Sequence, residues 1–438
     1  MKIPEVLQIE VVHRAGSLAQ VLGVVAEAGL LVENLVAVER GPGCTIWELT
    51  TDLDEDFDRS QLDRISDLPI AQLMGTSDRV FTLHEGGKIE TSSRLAIESD
   101  QLLRDIYTPG VARVCLAIRD DPALHRQYTG IRNSVAIVTD GTAVLGLGDI
   151  GPVAGMPVME GKAALFQQLA GLSGVPILVE PGSVNDIVEA VARIAPTFGA
   201  IQLEDIAAPA CFAIEQALAT RLDRPVLHDD QHGTAVVALA ALLTATRRLD
   251  IDIAGCTVGQ VGLGAAGIGI ARLLVHHGVN RLLGSDLRED AVSTFTDLGG
   301  EARDLEAVMA ESDIVIATTG VRGLIRPELV RDGQVILALT NPDPEIEPEV
   351  ALAHGARYAA DGKAVNNVLG FPGLFRGALD AEATEFSREM LAAAATRLSE
   401  LAAGNSLVPS PLDREVHVQV AEAVASAARG AQQTPLYH

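Results

Sequence analysis

At 438 residues the chain is long enough for two or three domains, each able to bury its own core. With 33 basic against 59 acidic residues, its formal charge of -26 repels nucleic acid and anionic membrane surfaces, so neither is an expected partner. A small anionic substrate would need a locally positive site, which a divalent metal supplies. The four separated cysteines, Cys44, Cys115, Cys211 and Cys256, form no Cys-x-x-Cys pair and read as reduced thiols. No signal-peptide pattern opens the chain and no apolar run reaches membrane-spanning length, so a cytoplasmic location is expected.

Residues 1–85 read as one small domain. Val6 to Val12 alternates as a strand, Arg14-Ala-Gly-Ser-Leu18 turns into a helix running to Glu27, and Gly29 stops it. Strands follow at Leu31 to Glu39 and Cys44 to Thr51, joined by Gly41-Pro42-Gly43. A short helix near Leu62 and a last strand through Val80 to Leu83 complete a βαββαβ order. That order, with the turn opening the first helix, resembles the ACT domain, a regulatory module of ferredoxin-like fold. The resemblance implies a small effector, an amino acid, bound near Gly16; use of the domain for dimer contacts alone stays open.

After a linker at Glu85-Gly-Gly-Lys88, residues 86–233 alternate helices with short apolar strands, among them Val135 to Thr139 and Ala200 to Leu203. This is the rhythm of a parallel α/β layer. Two acidic pairs stand out here, Glu204-Asp205 and Asp229-Asp230, the second inside His228-Asp-Asp-Gln-His-Gly-Thr234. Crowded carboxylates raise one another's pKa unless a cation neutralises them, so four from two loops suit a hard divalent ion, Mg²⁺ or Mn²⁺. Zinc would prefer imidazole or thiolate. Capped helix N-termini account for the same residues without a metal. Tyr107 and Lys162 each sit beside a turn; Lys162 is expected to open a helix, where dipole and burial would lower its pKa toward that of a base. An ordinary surface lysine is the alternative.

Residues 234–380 carry a dinucleotide fingerprint in full context. A strand ends at Val261, Gly262-Leu-Gly264-Ala265-Ala266-Gly267 leads into a helix, and Asp286 stands at the tip of the next strand. Glycines let the backbone approach a pyrophosphate at the helix N-terminus, and the acid suits the ribose hydroxyls. Asp286 would repel a 2′-phosphate, which favours NAD, while Arg288 nearby keeps NADP possible. Two further apolar strands end in Thr319 and Asn341, which are placed to meet the cofactor. Residues 381–438 read as Ala/Glu-rich helix packing on the catalytic core. The fold class is thus α/β: a substrate layer plus a Rossmann-type doubly wound parallel sheet, preceded by the small domain.

Six motifs in order then resemble the malic enzyme family in its bacterial form. They are 107–112 (Tyr-Thr-Pro-Gly-Val-Ala), 139–151, 159–163 (Met-Glu-Gly-Lys-Ala), 204–207, 228–234 and 366–373 (Asn-Asn-Val-Leu-Gly-Phe-Pro-Gly). The resemblance implies oxidative decarboxylation of malate to pyruvate and CO₂ with NAD(P) and Mg²⁺ or Mn²⁺. It assigns Glu204, Asp205 and Asp230 to the metal, and Asp229 to a pairing with Lys162. Lys162 would take the C2 hydroxyl proton and Tyr107 would protonate the enol carbon. Asn341 and Asn367 would contact substrate and nicotinamide, and a homodimer or higher homo-oligomer is expected. Two departures from the family pattern bear on specificity: the loop Gly141-Thr142-Ala143 lacks the arginine that clamps a malate carboxylate in eukaryotic members, and the chain between Lys363 and Asn366 is shorter.

Three other readings compete. A malolactic enzyme would release lactate with NAD kept bound, a metal-free amino-acid dehydrogenase would leave the acidic set without purpose, and a non-catalytic sensor would not need the catalytic side chains.

Overall fold

Alternation builds the first strand: in β1 (Lys2–Val12), Glu5, Leu7, Ile9 and Val11 are buried at every second position. The acid among them is satisfied by Arg59, whose Nη1 and Nη2 donate to Glu5 Oε1 and Oε2 at 2.9 and 3.0 Å. Next come α1 (Ser17–Glu27), β2 (Val32–Arg40), β3 (Cys44–Asp54), α2 (Ser60–Asp63), β4 (Ala71–Asp78) and α3 (Arg79–His84). The strands form one sheet in the order β2-β3-β1-β4, with every pairing antiparallel. The last strand is earlier than its sequence suggested, because Val80 to Leu83 lie in α3 and not in a strand. Asp78 is the cause: its side chain accepts the backbone N–H groups of Val80 and Phe81, and this N-cap overrides the strand preference of the residues behind it.

The computed structural model describes the chain apart from Met1, Glu55, Leu145, Asn366, Ala431, Gln432 and His438. It divides into two compact units, Met1–Glu90 and Thr91–His438. The first buries a cluster of its own that includes Leu7, Ile9, Val21, Val25, Leu49 and Leu53.

The second unit begins with α4 (Asp100–Ile106), α5 (Val111–Asp120) and α6 (His125–Tyr128). Then β5 (Ser134–Thr139), α7 (Pro152–Ala170), β6 (Ser173–Leu178), α8 (Val184–Ile194), β7 (Ala200–Leu203), α9 (Ala210–Arg221) and β8 (Val226–His228) alternate. Their four strands lie parallel in the order β6-β5-β7-β8. Val135 to Val138 are all fully buried, the continuous apolar run required of a strand covered on both faces.

A long helix, α10 (Asp229–Leu249), leads to the second layer. It is buried almost all round, as its Ala/Val/Leu content demands, and residue 233 falls inside it without a break. Beyond it lie β9 (Thr257–Val261), α11 (Ala265–His276), β10 (Arg281–Ser285), α12 (Glu289–Asp297), β11 (Glu301–Ala302), α13 (Leu305–Glu311), β12 (Ile314–Ala317), β13 (Val335–Ala338), α14 (Pro348–Ala353) and β14 (Tyr358–Asp361). These strands are parallel in the order β11-β10-β9-β12-β13-β14, so strand order reverses at β9 and opens a crevice at its carboxyl end. The closing helices are α15 (Phe371–Asp380), α16 (Arg388–Leu401) and α17 (Arg414–Ala428); α16 packs on α10 and α11, and α17 packs on α7, α15 and α16.

Candidate functional site

The carboxyl ends of β7 and β8 bring the acidic pairs together. Glu204 and Asp205 follow β7 directly, and Asp229 and Asp230 open α10 directly after β8. One ligand oxygen from each of Glu204, Asp205 and Asp230 lies within 4.8 Å of the other two. Backbone geometry holds the group: the N–H of Asp205 donates to Asp230 Oδ2 at 3.0 Å, and Asp205 takes a left-handed φ of 53° that few residues other than Gly, Asn or Asp accept. Gln202 adds a bond from Nε2 to Glu204 Oε2 at 2.6 Å. Burial pushes the Glu204 carboxyl well above its usual range; Lys162 opposes this, while Asp229, Asp230 and Asp205 reinforce it. Three acidic oxygens crowded in this way fit a hard divalent cation, which is the partner that would relieve the repulsion.

Lys162 reaches this cluster from α7. Its Nζ donates in a very short hydrogen bond to Asp229 Oδ2, lies 3.0 Å from Glu204 Oε1 and sits 4.3 Å from the centre of the Phe371 ring. Two expectations about it are corrected. Lys162 does not open a helix, since α7 starts at Pro152 and runs on through Pro157, leaving the lysine well inside where the N-terminal dipole has faded. Its pKa is not lowered either: burial pulls it down, but Asp229, Glu204 and the more distant Asp230 overcome burial and raise it above 10.5. Asp229 is also raised, chiefly by burial, against the pull of Lys162. The neighbouring carboxylates therefore hold Lys162 in its protonated form.

A layer of contacts behind the acids was not read from the sequence. The loop Asp140 to Ala143 docks on the Glu204-Asp205 turn: Ala207 N donates to Thr142 Oγ1 at 3.0 Å and Ala143 N donates to Asp205 O at 3.0 Å. Glu215, fully buried on α9, accepts the backbone N–H of His228 at 2.7 Å and lies 3.2 Å from His232 Nε2. Tyr437 donates its hydroxyl to the same carboxylate. Burial would raise Glu215, yet His232, His228 and that hydroxyl bring it below the usual carboxylate range. One signal for Glu215 was available: with Cys211, Ile214 and Leu218 it lies on the apolar stripe of α9.

The nucleotide motif occupies the crevice at β9. Gly262 takes φ 87°, and a side chain at Gly267 would overlap the Gly262 carbonyl, so these two positions of the turn tolerate no Cβ. Gly264 is the N-cap of α11, and Ala265, Ala266 and Gly267 form its first turn. Asp286, after β10, accepts the Leu263 N–H at 2.6 Å and the Arg288 N–H at 2.9 Å. Thr319 follows β12 and donates its N–H and Oγ1 to buried Glu345 at 2.6 and 2.9 Å; Thr340 donates its hydroxyl to the same oxygen at 2.6 Å. Glu345 thereby ties together the loops after β12 and β13, the second of which carries Asn341. Asn341 packs against Gly362, where a Cβ would come within 2.6 Å of its Nδ2. Asn367 donates from Nδ2 to Thr234 Oγ1 of α10 at 2.9 Å. Asn366, which opens the 366–373 motif, and Leu145, inside the 139–151 motif, lie outside the described residues.

Tyr107 does not join the group within one chain. It follows α4 with its side chain 69% exposed, and among the described residues no hydrogen bond or ion pair links it to Lys162.

Residues 86–186 match the family model described as malic enzyme, N-terminal domain. The chain is 50% identical over 430 residues to NAD-dependent malic enzyme 1 of Bacillus subtilis (strain 168), covering 96% of this chain and 97% of that protein. It is 40% identical over 384 residues to a bifunctional malic/malolactic enzyme of the same organism, covering 81% and 93%. The crystal structure of the NAD-dependent malic enzyme from Thermotoga maritima is similar at a TM-score of 0.75 with 35% identity, covering 80% of this chain and 99% of that one.

Proposed function

Because this chain belongs to the malic enzyme family, we propose that it converts malate to pyruvate and CO₂ with reduction of NAD, using a divalent metal held by Glu204, Asp205 and Asp230. The observation that carries this reading is the convergence of those three carboxylates beside the Lys162 and Asp229 pair. A divalent cation bound there would offset the negative charge that keeps Lys162 protonated, and would stabilise charge developing on the C2 oxygen of malate. The turn from Gly262 to Gly267 and Asp286 would hold NAD, which would supply the acceptor for the C2 hydride. With that charge offset, Lys162 Nζ takes the C2 hydroxyl proton, and Asp229, hydrogen-bonded to it, stabilises the ammonium that forms. Loss of CO₂ from the resulting β-keto acid leaves a carbon that Tyr107 protonates at C3. Asn341 and Asn367 orient the substrate against the nicotinamide, and Asp286 favours NAD by repelling a 2′-phosphate.

The Tyr107 assignment carries a requirement for a homo-oligomer. Tyr107 is exposed, and Leu103, Val111, Val114 and Leu116 of the flanking α4 and α5 are exposed apolar residues that a second copy would cover. An ACT-like regulatory role for the first unit, with an amino-acid effector at the start of α1, is supported by Gly16, its N-cap at φ 86°, which gives the helix no side-chain cap. No helix among the described residues is long and apolar enough to cross a membrane.

The test is malate turnover followed by NADH absorbance, with NAD or NADP, and with Mn²⁺ or a chelator. Net NADH formation that stops on chelation is the expected result. Lactate release without net NADH would instead favour the malolactic reading, which the bifunctional relative keeps in view. Tyr107→Phe should lower pyruvate formation at least about a hundredfold, the lower end of the range for a single proton-transfer group. Full turnover in that variant would remove Tyr107 from the mechanism.

A further inference from the structure

The C-terminal tail ends on the support of the acidic cluster. Tyr437 donates its hydroxyl to Glu215 Oε2, the oxygen that also faces His232 Nε2 at 3.2 Å. The other oxygen, Oε1, accepts the N–H of His228 at 2.7 Å. His228 is the N-cap of α10, so this bond fixes the backbone from which Asp229 and Asp230 project. The His228 ring is fully buried, with Nε2 3.5 Å from Asp230 Oδ2. Glu215 thus grips α10 at its N-cap and again one turn later, and Tyr437 closes the remaining side of the carboxylate.

Thr434 and Leu436 dock the described part of the tail. Thr434 donates its N–H and Oγ1 to Glu389 at 2.8 and 2.7 Å, and its carbonyl accepts the Arg388 N–H at 2.9 Å. Leu436 is buried, and Arg272 of the nucleotide helix α11 lies over the Tyr437 ring at 5.2 Å. A single aromatic side chain near the chain end therefore touches α9, α10 and α11, two of which begin at the acids and at the nucleotide turn.

We propose that Glu215 and Tyr437 are positioning residues for the divalent metal, with the C-terminal tail completing the frame that aims Asp230 at Glu204 and Asp205. The proposal rests on the assignment of those three acids to a metal. Residues that orient ligands commonly change metal affinity tenfold to a hundredfold when altered, although they never touch the ion.

Mn²⁺ binding to the full-length protein, read from the electron paramagnetic resonance signal of free Mn²⁺, is measured without turnover and tests it directly. Tyr437→Phe keeps the ring over Arg272 and removes only the hydroxyl, so it should fold as the parent does and bind Mn²⁺ about tenfold more weakly. Glu215→Gln should weaken binding at least as much, and in both variants the Mn²⁺ concentration for half-maximal rate should rise more than kcat falls. A lower melting temperature with unchanged Mn²⁺ affinity in Tyr437→Phe would reduce the tail to a structural clasp and overturn the proposal. If Glu215→Gln fails to fold, Tyr437→Phe alone decides. Asp230→Asn separates the two layers: if the parent protein binds no Mn²⁺, or Asp230→Asn binds it as tightly as the parent, the metal assignment itself falls.

Discussion

Asp229 is held by a neighbour that has no side chain. A Cβ at Gly233, one turn along α10, would overlap Asp229 Oδ1, so the glycine leaves the room in which the carboxylate turns to meet Lys162. Gly233→Ala is expected to displace Asp229 and cut kcat on the order of a hundredfold, the usual cost of misplacing a reacting group by about 1 Å. Circular dichroism should show the helix intact, because alanine is the better helix former. Wild-type kcat in that variant would mean that the Lys162 to Asp229 contact is dispensable. The same pair shows how a buried residue's surroundings set its chemistry. Burial alone would make Lys162 a base, whereas two carboxylates within bonding reach make it a firmly held acid until their charge is offset.

Among the elements, α17 carries a pH-dependent weakness. His417 is 1% exposed and its Nε2 lies 2.8 Å from the Pro411 carbonyl. Burial lowers its pKa below the ordinary 6.5, with the Pro411 carbonyl and Asp413 opposing only in part. Because the folded value is depressed, both states are neutral above about 6.5 and no penalty exists there. As pH falls below that value the unfolded chain gains a proton that the folded chain refuses, and stability is lost until the folded pKa is reached. The slope for one such group is at most about 1.4 kcal/mol per pH unit. Thermal melts between pH 7.5 and about 5 should therefore show a steeper loss for the parent protein than for His417→Asn, whatever offset the substitution causes at neutral pH. Equal slopes would mean that His417 is protonated in the folded state.

At the scale of the whole molecule, each unit has a core of its own, so removal of the first should leave the second folded. Deleting residues 1–85 is expected to retain malate turnover and to abolish any response to an amino-acid effector. Effector titration of the full-length and shortened proteins under the same conditions checks this, and an unchanged response after truncation would move regulation to the second unit. The relative matched over 96% of this chain shares most of the first unit as well, since Met1–Glu90 exceeds the 4% left unmatched.

The sequence by itself determined the parallel α/β layers, the nucleotide turn and the identities of the acids, because these rest on local patterns: buried strands with continuous apolar runs, glycines where no Cβ fits, and paired carboxylates after strands. It misplaced the last strand of the first unit, where one Asp78 cap outweighed the preference of four residues, and it misread Lys162, whose helix begins ten residues before it. Only the tertiary structure decided what stands behind the acids. Glu215 and Tyr437 are 222 positions apart, yet their side chains meet. Such contacts depend on how parallel strands stack and where a tail docks, and no spacing along the chain encodes that geometry. The direction of a pKa shift follows the same rule, since it is the sum of burial and of charges brought close only by folding.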